Sequence, residues 1–314
     1  MFAVHLFARV DFRVGSSMYC IDDDGNAYYI GERYGTQTTV TVPEDVAYKG
    51  NYYTVVGFEY PDREKEENWT LDPFEDIVEL HLPCTIQNTD SNISFLRKNG
   101  WKLAAVYVDE YINELVSVDG VLYSADMKTL LFIPRMHTGE LTVPETVTKL
   151  DAECGVGAHI TDISLPDGLL SIGNNALDGS LIQHLIIPDN ASIGQLGSMP
   201  EIMLLSFGKS VKTIQPGTFG KCDKLVEIMI PASVTRILTS VFDDCPSLRE
   251  ITVDDNNPNY KSIGGVLYDK DVSEILVAPM SIVRFMAPST LTTIEAGAFR
   301  GRENLLSVDC SESA

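Results

Sequence analysis

Apolar side chains recur along much of this chain in blocks of fixed length. Ile214, Phe219, Cys222, Leu225, Ile228 and Ile230 return 23 positions later, without a gap, as Ile237, Phe242, Cys245, Leu248, Ile251 and Val253. Inside the block, Ile228 and Ile230 alternate with Glu227 and Met229, the period-two pattern of a strand with one buried face. Pro231 follows; it has no backbone donor and a fixed φ, so it suits the end of a strand ladder. Val234 and Ile237 then turn inward at the next corner, while Phe219 and Cys222 line the opposite wall. One such block cannot bury its apolar groups alone, but blocks stacked on both sides make a continuous core.

Weaker copies of the strand-Pro signature occur at Leu80-His81-Leu82-Pro83, Leu141-Thr142-Val143-Pro144, Ile163-Ser164-Leu165-Pro166 and Leu185-Ile186-Ile187-Pro188. Ile202, Leu205, Phe207, Val211 and Ile214 form a copy without the proline, residues 190–200 a shortened one, and Ile294, Phe299, Leu305 and Val308 the last. A period of about 20 to 23 residues lies in the range of leucine-rich repeats. A larger repeat overlies it: Leu103 to Pro134 matches Leu248 to Pro279 at a constant offset of 145, including Gly120-Val121-Leu122-Tyr123 with Gly265-Val266-Leu267-Tyr268. Each of these stretches reads as a β-hairpin insertion, with Gly-Val-Leu-Tyr as one strand, an Asp-centred turn, and Leu130 to Phe132 or Ile275 to Val277 returning. Met18 to Ile21, Ala27 to Ile30, Thr38 to Val42 and Tyr52 to Val56 read as a small β-meander capping the first repeat, followed by a charged loop at Pro61 to Asn68. The expected organisation is a β-rich cap over residues 1–68 and a solenoid over 69–314, with hairpin insertions near 109–134 and 254–279.

These residues resemble the BspA-like, or Treponema-type, leucine-rich repeat proteins of bacteria. The family pattern Ile-x-x-x-Ala-Phe-x-x-Cys-x-x-Leu-x-x-Ile-x-Ile-Pro-x-x-Val-x-x-Ile is met closely by Ile214 to Ile237, and its opening by Ile294 to Phe299. The family's insertion Asn-x-x-Tyr-x-Ser-x-x-Gly-Val-Leu-Tyr is met at Asn257 to Tyr268, and its Tyr-x-Gly-x-x-Tyr-x-Val segment at Tyr48 to Val55. The resemblance implies an α/β repeat fold, a right-handed leucine-rich-repeat solenoid with one short strand per coil. It also implies a non-enzymatic binding or adhesion protein, secreted or displayed on a bacterial cell surface, with no cofactor.

Charge narrows the set of partners. Forty-five acidic against twenty-three basic side chains leave −22, a field that repels phosphate backbones, so nucleic acid is not an expected partner. No apolar run reaches the eighteen residues of a membrane-spanning helix, so no membrane insertion is expected. The opening Met1 to Val14 carries Arg9 and Arg13 and no small-x-small cleavage site, and reads as no signal peptide. The six cysteines, Cys20, Cys84, Cys154, Cys222, Cys245 and Cys310, contain no C-x-x-C. They read as free, mostly buried thiols, and Cys222 and Cys245 as unbridged neighbours on consecutive coils.

Motifs for chemistry are weak. Asp22, Asp24 and Asn26 have the first spacings of a calcium loop, but Ala27 stands where glycine is needed and Arg33 where a bidentate glutamate belongs, so a solvated hairpin turn is expected. Ser206 and Lys209 fit Ser-x-x-Lys only by placing the serine beside a core strand residue, Phe207. The five histidines have no metal-binding spacing, and no metal or catalytic residue is expected. What remains is the outward strand surface. Aligned by register, it presents two columns containing Glu79, His81, Asp162, His184, Ile186, Glu227, Met229, Glu250 and Thr252, with Ser307 and Asp309 at the last coil. Repeat faces of this kind bind extended partners, and a protein or glycan ligand is expected there. The alternatives are an acidic glycan-processing enzyme using Glu227 and Glu250, and a purely structural spacer.

Overall fold

The computed structural model describes residues 9–32, 37–60, 74–109 and 114–311; Arg33, the loop at Pro61 to Asn68 and the start of the chain fall outside them. The chain divides into two compact units, 1–137 and 138–314. Helix is sparse: the described residues form one α-helix, Asp90–Asn99, and one 3₁₀ turn, Thr239–Phe242.

In the first unit, Val10–Val14, Ser17–Ile21, Ala27–Glu32, Asn51–Phe58 and Asp45–Tyr48 form a sheet in that order. It is antiparallel except where Ala27–Glu32 meets Asn51–Phe58. The expected meander is therefore corrected in one place. Thr39–Thr41 leaves it and runs parallel to Glu79–Leu82, which in turn pairs with Ala105–Val108. Both sheets share one core, in which Tyr29, Val40, Phe58, Phe74, Leu80, Phe95 and Val106 are buried. The helix starts at Thr89, whose hydroxyl accepts from Asn92 N at 3.2 Å, satisfying a first-turn donor. Asn92 is buried but fully used: its carbonyl accepts from Phe58 N at 3.0 Å, and its amide donates to Val56 O and Gln87 O at 3.1 and 2.9 Å.

The second unit is a β-solenoid. Gly139–Thr142, Ile160–Ser164, His184–Ile186, Leu204–Ser206, Glu227–Ile230 and Glu250–Val253 form a six-stranded parallel sheet in chain order. Leu205, Ile228 and Ile251 face one another in register and are fully buried. A second line of two-residue strands marks the next corner, Lys149–Leu150, Ser171–Ile172 and Ser192–Ile193, with Thr213–Ile214 beside Arg236–Ile237. Each of these coils thus carries two short strands. On the third side Phe219 and Phe242 meet as tilted rings with centroids 6.1 Å apart, and Cys222 and Cys245, three residues on in each coil, are free and fully buried. The last coil is less enclosed: Ile294 is 46% exposed and Val308 44%, where the matching Ile237 and Ile251 are 8% and 0%.

The two insertions are three-stranded meanders, not two-stranded hairpins. Leu115–Val118 and Tyr260–Ile263 each supply a strand before the Gly-Val-Leu-Tyr strand. The 145-residue repeat holds at the level of single hydrogen bonds. Val106 N donates to Gly120 O at 2.9 Å and Ile251 N to Gly265 O at 3.2 Å; Val108 N donates to Ser117 Oγ at 3.0 Å and Val253 N to Ser262 Oγ at 3.1 Å. The bulge falls at Leu122/Tyr123 in one copy and at Leu267/Tyr268 in the other. Asn257 fixes the start of the second copy, donating to Pro231 O and Val234 O at 2.8 and 3.0 Å.

Candidate functional site

Strand alternation alone decides which side chains reach the surface of the six-stranded sheet. Its register sets Asp162 opposite His184, His184 opposite Leu204, Leu204 opposite Glu227, and Glu227 opposite Glu250. The second column runs Ile186, Ser206, Met229, Thr252. Seven of the nine expected residues therefore share one face of the second unit. Ile186 is 64% exposed and Met229 50%, large for apolar side chains on a sheet.

Glu79 and His81 lie elsewhere, on the three-stranded sheet of the first unit, opposite Ala105 and Tyr107. Thr39 Oγ1 donates to Glu79 Oε2 at 3.5 Å, and the His81 ring stacks on Tyr107 at 5.0 Å between centroids. Ser307 and Asp309 also leave the columns. They pair with Arg284 and Met286 in a separate two-stranded sheet, because the second insertion intervenes after Glu250–Val253.

The face has local chemistry of its own. His184 Nδ1 lies 3.1 Å from Asp162 Oδ1, with side chains 51% and 45% exposed; a pair this open contributes little to stability. Glu140, opposite Asp162 in the register, extends the acidic column onto the strand of Leu141. Glu140, Asp162, Ser164, Asp167, His184 and Ile186 line a depression of about 320 Å³. Farther along, Glu227 and Glu250 stand side by side on the open sheet, an arrangement of like charges that disfavours itself unless a cation is near.

The weaker motifs resolve locally. Asp22 accepts from Asn26 N at 2.8 Å, Asn26 Nδ2 at 3.0 Å and the Tyr28 hydroxyl at 3.1 Å, so its carboxylate organises the hairpin turn. Lys209 is ion-paired with Asp189. Among the described residues no three His, Cys, Asp or Glu side chains gather as a metal site, and no helix is long and apolar enough to cross a membrane.

With this geometry in hand, the sequence matches the family model described as BspA type leucine rich repeat region, in six copies, over residues 134–200 and 160–264. The chain carries a BspA-type leucine-rich repeat region. The BspA-type coils coincide with the strands that build the columns. Three of the solved structures similar to this chain are the following. The pneumococcal vaccine antigen PcpA is 14% identical, with 96% of this chain and 67% of that one covered and a TM-score of 0.45. A leucine rich cell surface protein of Faecalibacterium prausnitzii is 17% identical, with coverages of 96% and 76% and a TM-score of 0.38. A leucine rich repeat protein of T. pallidum is 15% identical, with coverages of 76% and 91% and a TM-score of 0.31. No curated protein matches the sequence.

Proposed function

We propose that this chain is a non-enzymatic binding module of a secreted or surface-displayed bacterial protein, and that its partner meets the sheet face of the 138–314 unit. The supporting observation is the pair of columns in register over consecutive strands, with exposed Ile186 and Met229 beside Asp162, Glu227 and Glu250. Apolar contact next to carboxylates fits a protein with a basic, partly apolar segment better than a neutral glycan. Such a complex weakens as salt screens the charges. The family match supports the surface location and the absence of catalysis. A glycan-processing enzyme needs two carboxyls flanking a sugar in a walled site, whereas Glu227 and Glu250 stand on open strands.

The test begins with binding screens of the full chain against arrayed host proteins and glycans. The triple substitution Ile186→Glu, Met229→Glu and Glu227→Lys should then abolish binding of the partner found and leave the melting temperature nearly unchanged, because all three side chains point outward. A triple variant that binds normally, while changes around Tyr123 or Tyr268 destroy binding, moves the site to the insertions and refutes the proposal. A hit confined to glycans replaces the protein partner.

A further inference from the structure

A second surface of the 138–314 unit has the opposite character. The residue just before each strand forms its own ladder on the flank of the sheet: Val226 N donates to Met203 O at 3.2 Å and Arg249 N to Val226 O at 2.8 Å. Where the second insertion interrupts the coils, the chain returns with Met280 N donating to Leu248 O at 2.7 Å and Ser281 Oγ to Arg249 O at 3.1 Å. Between these segments lies a groove of about 580 Å³, lined by Met203, Val226 and Met280 and by the polar Lys224, Arg249 and Asn304, among others. It shares no residue with the sheet-face columns.

Two observations say what fits it. Its apolar lining is open to solvent, with Met203 43% and Val226 37% exposed, and methionine adapts its shape to varied apolar ligands. Its charged lining consists of two cations, in a protein of net charge −22. Lys224 is held by Glu201, Nζ to Oε2 at 2.5 Å, which leaves Arg249. That guanidinium is exposed and has no ion pair or side-chain hydrogen bond among the described residues. A guanidinium beside aliphatic surface is a carboxylate receptor with an apolar neighbour site, because its planar donors match two carboxylate oxygens.

We propose that this flank groove binds an extended acidic peptide segment, with one Asp or Glu carboxylate on Arg249 and an adjacent aliphatic or aromatic side chain on Met203, Val226 and Met280. The net negative field argues against polyphosphates, which bring many charges to a site offering one unpaired cation. The volume lies within the range of small-ligand sites and holds two or three side chains.

The experiment uses a random nonapeptide library displayed on phage, panned on the full chain, on Arg249→Glu and on the sheet-face triple variant. The full chain and the triple variant should both enrich peptides carrying Asp or Glu next to Leu, Ile, Met or Phe. Arg249→Glu should lose that enrichment or exchange the carboxylate for Lys or Arg. For a synthetic enriched peptide, fluorescence anisotropy should show roughly tenfold weaker binding when its acidic residue is changed to the amide, the scale of one charge-assisted contact. Arg249→Ala should weaken it similarly, and Met203→Asp should reduce binding further. The groove assignment is overturned if no carboxylate is enriched, if Arg249→Glu selects the same peptides, or if the sheet-face variant loses them. Arg249 and Met203 are exposed, and circular dichroism of each variant checks that the fold is intact.

Discussion

Removing a phenylalanine ring from the stack inside the second unit measures directly how coils hold one another. Phe242 is 1% exposed and Phe219 3%, with tilted rings 6.1 Å apart. A buried Phe removes about 200 Å² from water, worth roughly 5 kcal/mol at about 25 cal/mol/Å². Alanine retains the Cβ share of that area and leaves a cavity between coils, so Phe242→Ala should cost about 3–5 kcal/mol. Phe219→Ala should cost a similar amount. Because the rings touch, the double variant should cost less than the sum by about 0.5–1.5 kcal/mol. Phe299 occupies the same position in the last coil but is only half-buried. Phe299→Ala should therefore cost less than Phe242→Ala, about 2–3 kcal/mol, because part of its area stays in water. Urea melts followed by far-UV circular dichroism give the values, since both tryptophans, Trp69 and Trp101, precede residue 138. Losses below about 1 kcal/mol for both Phe219→Ala and Phe242→Ala, or an equal cost for Phe299 and Phe242, refute the stacking argument.

Two further predictions concern glycines and thiols. Gly120 and Gly265 hold the same place in the two insertions at φ of 79° and 77°, so alanine is strained at both by about 1–2 kcal/mol; a Cβ on Gly120 also falls 2.6 Å from Ala105 Cβ, whereas on Gly265 its first contact is Arg249 O at 3.3 Å. Thermal melts should show the larger loss for Gly120→Ala, and equal losses would contradict this account of the first insertion. Cys222 and Cys245 are unbridged and buried; the neighbouring Cys222 sulfur, and then burial, push the Cys245 thiol well up, while burial pushes Cys20 up to about 12. Native thiol titration near neutral pH should label the exposed Cys310 quickly and these three only after denaturation. Fast labelling of Cys222 or Cys245, or a bridge between them, would be inconsistent with that burial.

The columns were legible in the sequence because a strand with one buried face leaves a strict alternation, and Glu227-Ile228-Met229-Ile230 carries it without interruption. Glu140 carried the same signal, standing four residues before Pro144 as Asp162 does before Pro166 and Glu227 before Pro231, and the register that pairs it with Asp162 bears that spacing out. The helix Asp90–Asn99 was not legible. It buries Ile93, Phe95 and Leu96 but also Asn92, and a polar residue satisfied by distant backbone groups fits no apolar pattern. Thr39–Thr41 reads locally like any strand; its parallel partner, Glu79–Leu82, lies 40 residues away. The leading strands of the insertions had a signal that went unused, the Asp119-Gly120 and Gly264-Gly265 pairs suited to tight hairpins. The flank ladder had none, since Met203, Val226 and Arg249 share a place in the coil but no residue type.

The insertions bear on which surfaces remain open to a partner. A parallel sheet ending in a bare strand exposes a row of backbone donors that invites another chain to add itself. In both units one edge strand is closed by the same device: a glycine carbonyl takes the first free N–H and a serine hydroxyl the second, on Val106 and Val108 in one case and on Ile251 and Val253 in the other. Recognition by strand addition at those two edges would have to displace these bonds. Two surfaces of the second unit keep unmet chemistry among the described residues: the face, where Glu227 and Glu250 set like charges beside Met229, and the flank, where Arg249 has no ion pair or side-chain hydrogen bond. The chain that leaves the second insertion, which closes one edge, also lines the flank groove through Met280 and Ser281. Closing the sheet against unspecific pairing thus leaves the flank groove free for a partner of its own.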